Sequence, residues 1–378
     1  MTKGKVAIVN RTNLKNYGSV LQVYALCQAV KKLGFDSEVI WQTGNMSKNW
    51  DIRPNKVIKT GLKLLLNPSL LWSTVKTIRS VNSTVIDPVK GKLFDDFVSK
   101  FIVRSFYAPS EIKKVASSNE YYKFICGSDQ VWVTTTLYPD PMMYLRFAPR
   151  NKRIAYAPSL GRDYIPRYNR RTIRRYIDEI DHVSVREMTG RELIKELTGR
   201  DVPVVADPTL LIRSMEWDSV KSDIGLPNHY VLCYFLTEPS DKVKTSISRL
   251  VRENKKKLVI LGHLSEIDLP ESIVLRPDAG PGEFLSYTSN ADLVITDSYH
   301  GMLFSLIFHR NFWSVERNYG QFDQSSRQLT VLSMLNLTDR YIKNNYHFTE
   351  DQIDYVDVQS RIDVFVKLST DYLKDSLR

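Results

Sequence analysis

The chain has 378 residues, of which 43% are hydrophobic, 11% aromatic and 25% charged. This length predicts two domains or one large one, and the composition excludes a disordered, collagen-like or disulfide-stabilised chain. The three cysteines, Cys27, Cys126 and Cys233, lie far apart in apolar surroundings without CxxC spacing. We therefore expect no disulfide framework, no structural zinc site and a reducing compartment.

Neither the N-terminus nor the apolar stretches predict a targeting or membrane-spanning segment. The first apolar run, residues 6–9, ends at Asn10 and is too short for a signal peptide. Residues 62–72 are interrupted by Pro68, and residues 301–308 fall short of the ~20 residues that span a bilayer. We expect a cytoplasmic protein.

The charge is positive and unevenly distributed. Lys and Arg outnumber Asp and Glu by 53 to 42, a net charge of +11. Residues 52–86 contain six basic residues and no acid, and residues 146–175 contain ten basic residues against Asp163 alone. Such surfaces attract nucleic acid, anionic lipid or phosphorylated small molecules, and charge alone does not distinguish these partners.

The N-terminal segment has the pattern of a βαβ unit. A strand over residues 5–10 is followed by a turn, by a helix that ends at Gly34, and by a strand over residues 36–41. The turn lacks the GxGxxG pattern, and no acid follows the second strand. Dinucleotide binding by the usual Rossmann device is therefore not expected.

Strands alternate with helices along the rest of the chain. The predicted strands are 124–126, 154–157, 182–185, 202–205, 230–236, 257–261, 272–275 and 293–296, and the predicted helices are 168–177, 187–197, 242–253, 281–288 and 302–308. This pattern predicts two α/β domains with mostly parallel sheets, residues 1–207 and 208–350, followed by a C-terminal helix over 351–378. A cleft between the domains should receive the carboxyl ends of the strands, where open α/β sheets bind ligands.

Residues 45–83 predict a helical insertion that is broken at Pro54 and Pro68. The segment combines Lys with Leu and Trp. One interpretation is a basic amphipathic element that lies on an anionic membrane surface. The other, which we favour, is a pair of helices whose Leu and Trp side chains face the protein core.

Four polar segments follow predicted strands, and the first two are CGSDQVW and VSVREMTGRE. In CGSDQVW, Ser128 and Asp129 are suited to capping a helix. In VSVREMTGRE, Arg186 stands at a strand tip beside a helix N-terminus, where a guanidinium can bind a carboxylate or phosphate. Arg186 could equally pair with Glu187 or Asp207.

The other two segments are ADPTLL and TDSYHGMLFSLIF. In the first, Asp207 either holds a sugar hydroxyl, orients Arg186 or forms only an Asp-Pro turn. In the second, residues 297–300 are predicted as a loop that places His300 at a helix N-terminus. Histidine is suited to proton transfer near neutral pH, so His300 is the candidate for acid-base chemistry.

Together these motifs resemble those of the polysaccharide pyruvyl transferase family. They occur in the family's order between residues 5 and 340, and they are NYGSVLQVYAL, FICGSDQVW, IAYAPSLG, VSVRE, VVADPTLL, TDSYHGMLFSLIF and SSRQLTVLSMLNLTDR. Two positions depart from the family pattern. Val133 stands where Asn is common, and Ser298 stands where many members have Arg.

The resemblance implies two Rossmann-like domains facing a cleft, similar to GT-B glycosyltransferases, with the C-terminal helix packing back toward the N-terminal domain. It also implies transfer of pyruvate from phosphoenolpyruvate to a pair of sugar hydroxyls, as a cyclic ketal, in a cell-surface polysaccharide. The expected partners are phosphoenolpyruvate, a sugar acceptor that is nucleotide-linked or lipid-linked, and peripherally the anionic inner membrane. No nucleic acid, cofactor or metal is expected.

The expected site residues form three groups. The catalytic group is His300, Asp207 and Asp129; the donor-binding group is Arg186, Ser298, Tyr299 and Arg327; the acceptor-binding group is Asn16, Tyr17, Gly18, Ser128 and Gln130. His300 is the expected general acid or base, and the two carboxylates would activate or orient the sugar hydroxyl.

Three alternative functions are considered, one of them another enzyme and two of them binding functions. A nucleotide-sugar glycosyltransferase would fit the same cleft, but the C-terminal half contains no clear ribose-reading signature and only Glu283 near the expected position. A non-catalytic glycan-binding or assembly protein, docked on the membrane through residues 52–83, would have no need of His300 beside Arg186. Nucleic-acid binding is the weakest alternative, since residues 146–175 match no recognised binding fold.

Overall fold

The computed structural model describes residues 2–10, 15–42, 46–47, 50–51, 54–68, 88–317, 325–344 and 346–378. The strands in these residues are β1 (Lys5–Val9), β2 (Asp36–Gln42), β3 (Met46–Ser47), β4 (Trp50–Asp51), β5 (Arg104–Tyr107), β6 (Lys123–Cys126), β7 (Arg153–Ala155), β8 (His182–Val183), β9 (Tyr230–Phe235), β10 (Lys257–Gly262), β11 (Val274–Leu275), β12 (Leu293–Thr296), β13 (Asn311–Val315) and β14 (Tyr341–Ile342). The helices are α1 (Tyr17–Lys32), α2 (Pro54–Leu66), α3 (Pro88–Phe101), α4 (Pro109–Ser117), α5 (Arg167–Asp178), α6 (Met188–Thr198), α7 (Ser214–Trp217), α8 (Asp241–Glu253), α9 (Pro281–Asn290), α10 (Tyr299–Ile307), α11 (Ser326–Met334) and α12 (Tyr355–Ser376).

Two six-stranded sheets dominate the described chain, and all their strand pairs are parallel. The N-terminal sheet has the order β5-β2-β1-β6-β7-β8, and the C-terminal sheet has the order β11-β10-β9-β12-β13-β14. In each sheet the strand order reverses beside the first strand, between β1 and β6 and between β9 and β12. Open α/β sheets bind ligands at such switch points. The predicted α/β class with two parallel sheets is confirmed.

The central strands are buried because they are apolar on both faces. All six residues of β9 and all four residues of β12 are buried. Helices cover both faces of a parallel sheet, so its central strands do not alternate between apolar and polar residues. The polar segments that follow these strands begin where the apolar run ends, at the edge of the sheet.

Tyr17, in the first turn of α1, joins the two halves of the molecule. Its ring stacks on Phe94 with 5.2 Å between centroids and on Phe284 with 4.6 Å between centroids. Its hydroxyl donates a hydrogen bond of 2.9 Å to the carbonyl oxygen of Ala279. Aromatic stacking at these distances adds to the energy of burial, so α1 is held firmly against α9.

The C-terminal helix α12 contacts both halves of the described chain. Near its start, the hydroxyl of Tyr355 donates to the carbonyl oxygen of Arg310, which precedes β13, at 2.5 Å. Near its end, the hydroxyl oxygen of Ser369 accepts a hydrogen bond of 2.8 Å from the buried amide of Ala206. The helix therefore supports the backbone immediately before Asp207.

Three strands of the sheets were not predicted, and one predicted strand is absent from the described chain. The missed strands are β5, β13 and β14, of which β5 and β14 are short edge strands. The predicted strand at 202–205 is a single bridge between Val185 and Val204. The amide of Val185 donates to the carbonyl oxygen of Pro203, but Pro203 has no N–H with which to extend the pairing.

The insertion also differs from the prediction that we favoured. Helix α2 begins at Pro54 rather than breaking there, because the first position of a helix tolerates proline, and it ends before Pro68. Five of its apolar side chains are exposed instead of facing the core, and these are Val57, Ile58, Leu62, Leu65 and Leu66. Residues 46–47 and 50–51, also predicted as helical, form the short antiparallel strands β3 and β4. Residues 45, 48–49, 52–53 and 69–83 of the predicted insertion lie outside the described residues.

The contact between Ser369 and Ala206 gives a test of the support that α12 provides. We expect Ser369→Ala to lower the free energy of unfolding by about 1–3 kcal/mol, because the buried amide of Ala206 loses its acceptor. Ser376→Ala is the matched control, since the Ser376 hydroxyl donates to Tyr372 within the same helix. Equal losses for the two variants in urea unfolding would contradict this role.

Candidate functional site

The candidate site lies where the switch points of the two sheets face each other. The segment after β6 contributes Ser128 and Asp129, and the segment after β12 contributes Ser298 to His300. Arg186 follows β8, and Asp207 begins the short 3-10 helix Pro208–Leu211. Four segments that are far apart in the chain thus supply polar groups to one place, as the four sequence motifs predict.

Arg186 is the central residue of this cluster, and its side chain is buried. One terminal nitrogen donates to Oδ2 of Asp207 at 2.6 Å, and the other donates to Oδ1 of Asp129 at 3.3 Å. The guanidinium carbon lies 4.5 Å from the centroid of the Tyr299 ring. The guanidinium therefore joins two carboxylates of the N-terminal half through ion pairs, and it reaches the C-terminal half through the cation-π contact with Tyr299.

The charges in the cluster hold each other in the ionised state. Burial alone would raise the pKa of Asp207, but His300 and Arg186 hold it well below its usual range. Burial opposes ionisation of Asp129 too, yet Arg186 and His300 lower its pKa to about 2. Both carboxyl groups are therefore carboxylates at neutral pH, which makes them poor proton acceptors.

His300 lies in the first turn of α10, against the first turn of α1. Its Nε2 is 3.5 Å from Oδ2 of Asp207 and forms no hydrogen bond with the described residues. A Cβ atom on Gly18 would overlap the imidazole ring. Glycine at this position therefore allows a helix of the N-terminal half to approach His300 directly.

Helix α10 begins three residues earlier than predicted. Ser298 is its N-cap, and the hydroxyl oxygen of Ser298 accepts a hydrogen bond of 3.3 Å from the amide of Gly301. This cap extends the helix to Tyr299. Tyr299 and His300 are thus fixed on a helix rather than on a loop, and the predicted loop is limited to residues 297–298.

Arg327, on α11, adds a second buried cation to the site. Its guanidinium carbon lies 5.9 Å from the centroid of the Tyr299 ring. Burial and the neighbouring charge of Arg186 lower the pKa of Arg327 to about 10. Two buried guanidinium groups that repel each other create a positive potential, and an anion bound beside them would be strongly stabilised.

The ring of Tyr299 contacts both cations, the guanidinium groups of Arg186 and Arg327. Its side chain is buried, and its hydroxyl has no hydrogen-bond partner within the part of the chain that the structure describes. Burial raises the pKa of this phenol above its ordinary value, so the hydroxyl remains protonated. A buried hydroxyl without a partner costs about 1–3 kcal/mol, a cost that a bound ligand would remove.

The five residues predicted for acceptor binding have different surroundings in the structure. Asn16 caps α1 by accepting from the amide of Ser19 at 3.3 Å, and Gly18 contacts His300. The hydroxyl of Ser128 donates to the carbonyl oxygen of Ala157 at 2.9 Å, and Gln130 packs beside Gly161. Tyr17 is not brought into the cleft, because its buried ring packs between the two halves.

Sequence reasoning missed two residues that organise the site. The hydroxyl of Ser19 donates to Oδ2 of Asp129 at 2.9 Å, which orients that carboxylate. Asp297 accepts from the amides of Leu236 and Thr237 at 2.7 and 3.1 Å, and its Oδ2 lies 3.1 Å from Nε of Arg317. Both missed residues stand inside quoted motifs, NYGSV and TDSYHG, which is the signal that could have identified them.

The described residues contain neither a candidate metal site nor a candidate membrane-spanning helix. No group of three or more His, Cys, Asp or Glu side chains there is arranged to hold a metal ion. None of the helices there combines the length and the apolar character that crossing a bilayer would need.

Comparison with known proteins identifies the family. A sequence model of the family described as polysaccharide pyruvyl transferase matches residues 16–319. The chain belongs to this family. The match confirms the resemblance seen in the motifs, and it includes all four strand-tip segments. No curated protein sequence matches the chain significantly.

Solved structures share the fold at low sequence identity. A protein from Listeria monocytogenes assigned as a UDP-N-acetylglucosamine 2-epimerase is 12% identical, with a TM-score of 0.51 over 100% of this chain and 92% of that one. The UDP-GlcNAc 2-epimerase from Neisseria meningitidis is 10% identical, with a TM-score of 0.47 over 99% and 94%. The wall teichoic acid polymerase TagF is 13% identical, with a TM-score of 0.45 over 100% and 88%. At this identity the likeness to the Listeria protein shows the two-domain fold alone.

The contact between Gly18 and His300 is testable by a double-mutant cycle. We expect Gly18→Ala to lower the free energy of unfolding by about 1–3 kcal/mol, since the new Cβ overlaps the imidazole. In a His300→Ala background the same change should cost less, because the overlapping ring is gone.

Gly61→Ala is the control for this cycle, because a Cβ at that helical position has no atom within 4 Å. It should be neutral or stabilise by up to about 1 kcal/mol through helix propensity. Thermal or urea unfolding measures all four variants. An equal cost of Gly18→Ala with and without His300 would contradict the contact.

Proposed function

We propose that this transferase moves the pyruvyl group of phosphoenolpyruvate to a pair of hydroxyls on one sugar of a polysaccharide or its precursor. The observation that carries the proposal is the pair of buried guanidinium groups, Arg186 and Arg327, beside the histidine of the site. Family membership supports the transferase class. The donor and the reaction are inferred from the chemistry of the side chains.

Phosphoenolpyruvate carries a phosphate and a carboxylate, and both need cationic or N–H donors. The charge of Arg186 is balanced by Asp207 and Asp129. Burial lowers the pKa of Arg327, and the charge of Arg186 adds to this effect. A bound dianion would offset both effects, so Arg327 is the candidate for direct contact with the donor. The N-terminus of α10 and the Tyr299 hydroxyl supply further donors.

The proposed reaction needs a side chain that acts as a general acid and a general base. A proton added to C3 of phosphoenolpyruvate makes C2 electrophilic, and a sugar hydroxyl adds to C2 and gives up its proton. The C2–O bond to phosphate then breaks, and a second hydroxyl of the same sugar closes the ketal and releases the second proton. His300 is suited to the proton transfers, since an imidazole both donates and accepts protons and its Nε2 has no hydrogen-bond partner in the described residues.

Asp207 and Asp129 act as positioning residues in this proposal. Both oxygens of Asp207 are engaged, Oδ1 by Thr209 and Oδ2 by Arg186. The Asp207 carboxylate lies 3.5 Å from Nε2 and can orient the imidazole ring of His300. Asp129 accepts from Ser19 and Arg186, which leaves it able to accept from an acceptor hydroxyl but not to remove its proton.

Donor binding is tested by thermal unfolding with phosphoenolpyruvate, inorganic phosphate, pyruvate and a panel of nucleotide sugars. Phosphoenolpyruvate at about 100 times its Kd should stabilise the protein by about 2.7 kcal/mol. Arg327→Gln should remove this stabilisation. Arg191→Gln, which removes an exposed arginine paired with Asp201, is the matched control and should retain it.

Two outcomes would contradict the donor assignment. The first is stabilisation by nucleotide sugars with none by phosphoenolpyruvate, followed by glycosyl transfer in a turnover assay, which would favour the glycosyltransferase alternative. The second is the absence of stabilisation by any compound in the panel, which would favour a non-catalytic glycan-binding protein.

A further inference from the structure

Helix α2 presents apolar side chains to solvent. Leu65 and Leu66 are 78% and 80% exposed. On the opposite side, Nζ of Lys63 donates to Oδ1 of Asn169 on α5. A surface helix normally buries its apolar stripe and exposes its charges. In α2 these positions are reversed, and none of the described elements covers Leu65 or Leu66.

A row of arginines runs along α5 beside this helix. Arg167, Arg171 and Arg175 are four residues apart and therefore share one face. Arg171 and Arg175 line a cavity of about 470 Å³ together with Lys59 and Leu62 of α2. The cavity shows that the arginine row and the exposed apolar side of α2 form one continuous surface.

Two arginines of the row, Arg171 and Arg175, form no ion pair with any acid among the described residues. Arg170 and Arg174, on another face of α5, pair with Glu196 and Asp178 respectively. Burial, and after it the charge of Lys59, lowers the pKa of Lys63 to about 8.

We propose that α2 and the arginine row of α5 form a docking surface for a bilayer that contains anionic lipid. The exposed leucines would insert at the boundary of the acyl chains, and the arginines would contact the headgroups. Charge complementarity selects this occupant. A second copy of this chain carries the same basic surface and a net charge of +11, so pairing two copies here would bring like charges together.

Vesicle flotation tests the proposal with the full chain. The protein should bind vesicles of equal parts phosphatidylcholine and phosphatidylglycerol, should bind phosphatidylcholine vesicles much more weakly, and should be released by high salt. The double variant Leu65→Glu/Leu66→Glu and the double variant Arg171→Glu/Arg175→Glu should each lower the association constant by at least about tenfold. The two variants remove different interactions on exposed side chains, so each checks the other.

Val364→Glu/Leu368→Glu is the matched control, because these apolar residues are also exposed, by 61% and 64%, but lie on α12. It should bind as the wild-type protein does. The proposal is overturned by equal binding to both kinds of vesicle, by no binding to either, or by unchanged binding of both double variants. It is also overturned if sedimentation shows a dimer that Leu65→Glu/Leu66→Glu converts to a monomer.

Discussion

The ion pairs of Arg186 with Asp207 and Asp129 are the interactions on which the candidate site depends. The Arg186 and Asp207 side chains are fully buried, and the guanidinium lies 2.6 Å from the Asp207 carboxylate. Losing one partner of a buried pair leaves an uncompensated charge, which costs about 3–5 kcal/mol. The segments after β6 and β8 and the 3-10 helix Pro208–Leu211 must therefore assemble together. Ser369, on α12, stabilises the backbone just before Asp207 by accepting a hydrogen bond from the amide of Ala206.

The second constraint is the contact between the two halves. Gly18 and His300 come from α1 and α10, and their approach is close enough that only a hydrogen fits on Gly18. The neighbouring Tyr17 holds the same turn of α1 by stacking on Phe284. The position of the imidazole is therefore set by packing between the halves. The carboxylate of Asp207 is the negative charge beside it. Proton transfer and anion binding are supplied by different segments that only the assembled fold brings together.

Much of this arrangement could be predicted from local sequence. Apolar runs ending in polar residues identified the strand tips, and Arg186, Asp207 and His300 were recognised because each follows such a run. The pairing of Arg186 with Asp207 was one of the alternatives that the sequence left open, and the pairing with Asp129, 57 positions away, was not expected. Local sequence also could not show that the ring of Tyr17 packs between Phe94 and Phe284, because these residues are distant in the chain. The Lys and Leu content of residues 45–83 predicted helices, and α2 is one, but composition does not say which face of a helix meets the protein.

The most direct test of the account is the turnover of phosphoenolpyruvate with sugar acceptors, measured as phosphate release. His300→Gln should lower kcat by about 10²–10⁴ while phosphoenolpyruvate still stabilises the variant against unfolding. His309→Gln, which changes an exposed histidine that contacts Gln359, should leave kcat unchanged. Wild-type turnover by His300→Gln would contradict the assignment of proton transfer to this residue, and with it the central claim about the site.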